Sequence, residues 1–136
     1  MPDLGSTEFT MLWASAVLGV VYLLAAVVPS VLARGMPWAL GPRDEPGADA
    51  GKVGGRLDRA WKNFLETFPL FVAAILIESS VVQDSTLGAI GAQLYFWGRV
   101  AFLPIYALGL PVVRTLAWTV SLVGIVMVLA AALPGV

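Results

Sequence analysis

The chain contains neither cysteine nor histidine. It therefore has no thiolate nucleophile, no imidazole base, no disulfide and no usual ligand set for soft metals or haem, so no metal is expected. No P-loop, dinucleotide-binding glycine motif or nucleophile elbow is present either. Only 12% of the residues are charged, against about a quarter in an average soluble domain. No basic tail suggests nucleic acid as a partner. The polar groups that remain are guanidinium, carboxamide, carboxylate and phenol groups.

Long apolar segments make up most of the sequence, in which 59% of the residues are hydrophobic. Segments 9–33 and 115–136 carry no charged residue, and each exceeds the roughly 20 residues that cross about 30 Å of hydrocarbon. Two further apolar segments are interrupted by polar residues. We predict an all-α integral membrane protein with a single domain over 1–136. Its four helices are expected at roughly 9–33, 57–82, 86–110 and 112–133, with a loop over 34–56. Short connections favour an up-down bundle.

Basic residues are concentrated on one side of this predicted bundle. They lie at or near the connections after the first and third helices: Arg34, Arg43, Lys52, Arg56, Arg59, Lys62 and Arg114. The opposite side carries acidic residues, among them Glu8, Glu78 and Asp84, and we expect Glu78 to be solvated there. The positive-inside rule therefore places loop 34–56 in the cytoplasm and both termini outside.

Polar residues inside the apolar segments form the candidate site. Arg59, Asn63 and Glu66 occur at i, i+4 and i+7 and so share one stripe of the second helix. The third helix brings Arg99 and, seven residues later, Tyr106. At the helical rise per residue, Glu66 and Arg99 lie ~14 Å and ~16 Å from the cytoplasmic ends of their helices. We therefore expect the carboxylate and the guanidinium to meet or to share a ligand, in a polar pocket open to the cytoplasm.

These residue types suit an anionic or zwitterionic ligand. Arginine binds carboxylates through paired hydrogen bonds, and Glu66 can accept an ammonium group. If the ligand carries a thiol, an arginine near the sulfur favours the thiolate. Structural explanations stay open at this point: Arg99 and Glu66 could only lock helices together, and Asn63 could only join helices by hydrogen bonding. Tyr106 could equally belong to an aromatic belt at the membrane surface.

The motifs resemble those of a known family. They are Arg59-Ala60-x-x-Asn63-x-x-Glu66-x-Phe68-Pro69-Leu70-Phe71, then Gly98-Arg99-Val100, then the segment from Tyr106 to Arg114. Together they resemble the membrane-associated proteins in eicosanoid and glutathione metabolism, the MAPEG family, and loop 34–56 is similar to that of bacterial members. The resemblance implies a homotrimer of four-helix subunits in the bacterial inner membrane, with glutathione as cosubstrate in pockets between subunits. It also implies a glutathione transferase or glutathione-dependent peroxidase that acts on apolar electrophiles or lipid hydroperoxides.

The resemblance implies roles for individual residues as well. Arg34 resembles an arginine that approaches the ligand from the adjoining subunit. Arg114 resembles the arginine proposed to stabilise the glutathione thiolate, which makes it the candidate catalytic residue. Phe102 stands where some members have a tyrosine. The positions that match glutathione-binding residues of the family are Arg59, Asn63, Glu66, Arg99 and Tyr106.

Two other functions are compatible with the sequence. A small four-helix exporter would use Glu66 to exchange protons with cationic substrates, although Arg99 at the same predicted depth would pair with that carboxylate. A non-catalytic trimer of the same family would keep the pocket for binding or for structure alone.

Overall fold

The computed structural model describes residues 5–82 and 84–134, and within them the chain is helical, without a strand. The elements are α1 (Thr7–Arg34), α2 (Met36–Leu40), α3 (Gly51–Val81), α4 (Thr86–Ala107) and α5 (Pro111–Ala131). The all-α prediction is confirmed. The predicted loop 34–56 is shorter than expected, because α2 lies within it and α3 begins at Gly51. Hydropathy predicts only the apolar part of α3. Polar residues extend the helix towards its N-terminus as far as Gly51.

Side chains stabilise several of the helix ends. The hydroxyl groups of Ser6 and Ser85 accept hydrogen bonds from backbone N–H groups in the first turns of α1 and α4. At the other end of α4, Arg56 Nη1 donates to the carbonyl oxygen of Ala107 at 3.2 Å. A cation at a helix C-terminus is favourable because the last carbonyl groups are unpaired. Arg56 thereby ties the start of α3 to the turn between α4 and α5.

Consecutive long helices run antiparallel, and α4 and α5 approach each other most closely. A Cβ atom on Gly91 would lie 2.6 Å from the carbonyl oxygen of Gly124, and one on Gly98 would lie 3.1 Å from the backbone nitrogen of Ser121. Small residues at these crossings bring the two backbones into contact, as is common between membrane helices. α4 also contacts α1, where the hydroxyl group of Tyr22 donates a hydrogen bond of 2.5 Å to the backbone carbonyl oxygen of Arg99.

Three of the helices, α1, α3 and α5, are long and apolar enough to cross a membrane. Large apolar side chains cover their outer surfaces; Val20, Leu24 and Val28 of α1, for example, are all exposed. Such a surface is stable in hydrocarbon and unfavourable in water. The chain is therefore an integral membrane protein. The fourth predicted span corresponds to α4, and its crossing of the membrane stays a prediction.

The expectation that Glu78 is solvated is wrong. Only 2% of Glu78 is exposed, and the carboxyl group of Glu8 of α1 lies beside it. The missing side chain of Gly88 makes room for both, because a Cβ there would lie 3.1 Å from Glu8 Oε1 and would contact Glu78. The helical period explains the burial, since Glu78 follows the buried residues Phe71 and Ile75 on one face of α3.

Candidate functional site

A pocket of about 240 Å³ lies between α3, α4 and α5. Its walls are formed by Asn63 from α3, Phe102 and Tyr106 from α4, and Arg114, Thr115 and Trp118 from α5. The structure thus brings together three of the predicted site residues: Asn63, Tyr106 and Arg114. The lining combines polar groups with the apolar rings of Phe102 and Trp118.

Tyr106 holds two arginine side chains at this pocket. The guanidinium carbon of Arg114 lies 4.7 Å from the centre of the Tyr106 ring, a distance at which a cation and the face of an aromatic ring attract each other. Arg59 Nε donates to the Tyr106 hydroxyl oxygen at 3.3 Å. Among the described residues there is one ion pair, in which Lys62 Nζ lies 3.0 Å from Asp58 Oδ2. Both arginines at Tyr106 are therefore left without a carboxylate, and the pocket is electropositive.

Arg99 is fully buried behind the pocket and does not line it. Its Nη1 donates to Asn63 Oδ1 at 2.9 Å. The guanidinium carbon lies 4.2 Å from the centre of the Phe102 ring, 5.5 Å from that of Tyr22 and 5.6 Å from that of Phe64. Its Nε and Nη2 have no hydrogen-bond partner among the described residues. The cation is thus stabilised by three aromatic rings and by one hydrogen bond to the pocket wall.

Glu66 is exposed on α3 and is not among the residues that line this pocket. The expected direct contact with Arg99 does not form, since no ion pair of Glu66 occurs in the part of the chain that the structure describes. Matching depth in the membrane is not sufficient for contact, because direction around the helix axis also matters. Arg99 points between α1 and α3 and meets Asn63 instead. A ligand shared by Glu66 and Arg99 stays a prediction.

Arg34 also lies outside the pocket. Its Nε donates to the carbonyl oxygen of Ala48 at 2.8 Å, and its Nη1 donates to Ser30 Oγ at 2.6 Å. Its guanidinium carbon is 4.8 Å from the centre of the Trp38 ring, and that of Arg43 is 5.2 Å from the same ring. Arg34, Trp38 and Arg43 line a separate groove of about 250 Å³ between α1, α2 and α3. Arg34 and Arg114 of one chain therefore do not share a cavity.

Sequence reasoning missed two residues that line the pocket, Thr115 and Trp118. Both follow Arg114 closely, and Trp118 lies one helical turn after it, at i+4 on the same face of α5. The spacing from Arg114 is thus a signal in the sequence, although hydropathy indicates only a membrane span over residues 115–136. In residues 5–82 and 84–134, no group of three histidine, cysteine, aspartate or glutamate side chains could hold a metal ion.

Comparison with known proteins identifies the family. A family model, that of the MAPEG family, matches residues 11–134. This chain belongs to the MAPEG family. The match extends from α1 to the end of α5 and includes every predicted site residue. No curated protein and no solved structure matches the chain. MAPEG membership agrees with a helical membrane protein and indicates, in general terms, a function related to glutathione or eicosanoids.

Proposed function

We propose that this MAPEG protein binds glutathione and uses it on apolar electrophiles or lipid hydroperoxides, as a transferase or a peroxidase. The observation that carries the proposal is the pocket in which Asn63, Tyr106 and Arg114 converge. Their guanidinium, phenol and amide groups suit a peptide that carries two carboxylates and a thiol. The chain has no cysteine. The nucleophilic sulfur is therefore supplied by the ligand.

In this proposal Arg114 is the catalytic residue. A guanidinium beside the glutathione sulfur stabilises the thiolate, which is the reactive form. In the transferase reaction, the thiolate forms a carbon–sulfur bond and the leaving group departs with its electron pair. In the peroxidase reaction, two glutathione molecules reduce one hydroperoxide to an alcohol and water, and the disulfide of glutathione forms. In both reactions the protein contributes position and positive potential.

The remaining predicted residues also have roles in this proposal, and that of Arg34 requires a second copy of the chain. Arg59 would bind a carboxylate of glutathione, and Glu66 would accept its ammonium group. Arg34 lies in a different groove of its own chain, so a site that includes Arg34 and Arg114 needs two subunits. This agrees with the homotrimer that the resemblance implies. Charged residues such as Glu66 on an exposed membrane surface are also unfavourable unless another subunit covers them.

The second substrate is proposed to enter from the lipid. Phe102 and Trp118 form the apolar part of the pocket wall, and Trp118 comes from α5, one of the helices that could cross a membrane. From the positive-inside rule we infer that the pocket faces the cytoplasm and that both termini lie outside, and the resemblance implies the bacterial inner membrane. An apolar electrophile or a lipid hydroperoxide would then reach the sulfur from the membrane, and glutathione would arrive from the cytoplasm.

One observation favours the exporter as a second candidate. Glu66 is exposed and forms no ion pair within the described residues. A carboxylate that exchanges protons with a substrate would be expected to have both properties. Replacing Glu66 by glutamine separates the two functions. Loss of glutathione binding supports the enzyme, whereas loss of pH-dependent efflux with glutathione binding intact supports the exporter.

The main test is calorimetric titration of the detergent-purified protein with glutathione, with the ultraviolet absorbance of the bound thiolate measured in parallel. Arg114→Met is compared with Lys62→Met as the control, because each replacement removes one positive charge and the exposed Lys62, which pairs with Asp58, lines neither the pocket nor the groove of Arg34. We expect the wild type and Lys62→Met to bind glutathione with a thiolate band, and Arg114→Met to lose the band. Binding without a band in the wild type would indicate a non-catalytic trimer, and no binding would overturn the proposal.

A further inference from the structure

The position of Arg99 is difficult to explain by direct ligand binding. It is 0% exposed and lies behind the wall formed by Asn63 and Phe102. A buried guanidinium with unpaired nitrogen atoms is unfavourable, because it loses hydration that one hydrogen bond replaces only in part. The bond that it does form, from Nη1 to Asn63 Oδ1, reaches a residue that lines the pocket.

This bond fixes the orientation of the Asn63 amide. A guanidinium group can only donate hydrogen bonds, so the amide atom that faces Arg99 must be the oxygen. The nitrogen and oxygen of an asparagine side chain are often assigned from their hydrogen bonds, and here the chemistry of Arg99 allows only one assignment. Asn63 Nδ2 forms no hydrogen bond among the described residues. It is therefore the atom left to face the pocket.

We propose that Arg99 is a positioning residue that makes Asn63 present an N–H donor to the pocket, so that the site selects a hydrogen-bond acceptor on the ligand. The acceptor would be a carboxylate or an amide carbonyl of the bound thiol peptide, and in naming that ligand the inference rests on the proposed function. Without Arg99 the amide could rotate and offer either its oxygen or its nitrogen. Selectivity for an acceptor would then be lost.

A double-mutant cycle distinguishes positioning from direct contact. The proteins are the wild type, Arg99→Met, Asn63→Ala and the double variant, each titrated with glutathione by calorimetry. A lost hydrogen bond to a charged group weakens binding by about tenfold or more. We expect each single variant to bind about tenfold more weakly and the double variant to bind no more weakly than Asn63→Ala alone, because Arg99 acts through Asn63. Losses that multiply to about a hundredfold would show that Arg99 binds the ligand itself, and would overturn the inference.

Asn63→Asp separates positioning from stability. Aspartate keeps an oxygen towards Arg99 and strengthens that bond, but it removes the donor that faces the pocket. We expect a melting temperature at or above that of the wild type together with glutathione binding at least about tenfold weaker. Wild-type affinity in Asn63→Asp would contradict the proposal. Arg99→Lys can still donate to Oδ1 and should bind more tightly than Arg99→Met.

A control variant and the melting temperatures distinguish failure of this inference from failure of the proposed function. Lys62→Met removes an exposed ammonium group that lines neither the pocket nor the groove of Arg34 and should leave the affinity unchanged. If the wild type fails to bind glutathione, the proposed function falls. The pairing of Arg99 with Asn63 is then judged from the melting temperatures of the same four unliganded proteins, where additive shifts would overturn it.

Discussion

Replacing Gly124 by alanine should destabilise the protein, whereas the same replacement at Gly55 should stabilise it. In α5, a Cβ on Gly124 would lie 2.6 Å from the backbone nitrogen of Tyr95 and would contact the carbonyl oxygen of Gly91. Both are backbone atoms of α4, so the two helices must move apart. In α3, the nearest atom to a Cβ on Gly55 is the flexible end of an arginine side chain at 3.4 Å.

The difference between the two variants isolates the steric term. Alanine is favoured over glycine in a helix by about 1 kcal/mol at either position, so this contribution cancels in the comparison. Extra atoms in a packed interior destabilise by about 1–3 kcal/mol. At roughly 4 °C per kcal/mol for a chain of this size, the steric term should separate the melting temperatures of the two variants by roughly 4–12 °C.

Thermal unfolding in detergent, followed by circular dichroism, measures this difference for the wild type and both variants. The effect should also reach the site, because Tyr106 is on α4 and Arg114 is on α5. Separation of these helices would weaken glutathione binding in Gly124→Ala. If Gly124→Ala melts at or above the temperature of Gly55→Ala, the close contact between α4 and α5 is refuted.

Three other replacements probe separate features. Tyr106→Phe removes the hydroxyl that holds Arg59, and calorimetry should show glutathione binding weaker by about three- to tenfold; unchanged affinity would remove that hydroxyl from the site. Glu78→Gln supplies a donor to the buried carboxyl group of Glu8 beside it and should raise the melting temperature at neutral pH, whereas a lower temperature would contradict the close approach of the two carboxyl groups. Trp38→Ala removes the ring on which Arg43 lies, so trypsin should cleave after Arg43 faster than in the wild type; an equal rate would show that the ring does not order this segment.

Much of the fold could be predicted from the sequence because it depends on local properties. Apolar segments identify the long helices. The spacing of Arg59 and Asn63 places them on one face of α3, where the structure brings them near Tyr106 and Arg114. Helical spacing is fixed by backbone geometry, so this part of the site follows from sequence alone.

Contacts between helices could not be predicted in the same way. Depth along two helix axes suggested that Arg99 meets Glu66, but contact also depends on how each helix is rotated about its axis. In the structure Arg99 meets Asn63. Glu78 was misjudged for a related reason: its burial depends on the absence of a side chain at Gly88 in a different helix.

The separation of Arg34 and Arg114 within one chain has a consequence for cells that carry two versions of the gene. Arg34 lies in the groove of α1, α2 and α3, and Arg114 lies in the pocket of α3, α4 and α5. In the proposed homotrimer, one version altered at Arg34 and another altered at Arg114 would each be inactive alone. Co-expressed, they would form mixed assemblies in which some sites combine the intact arginine of each version. Activity would reappear by complementation between subunits, and a single altered copy could impair an otherwise intact neighbour.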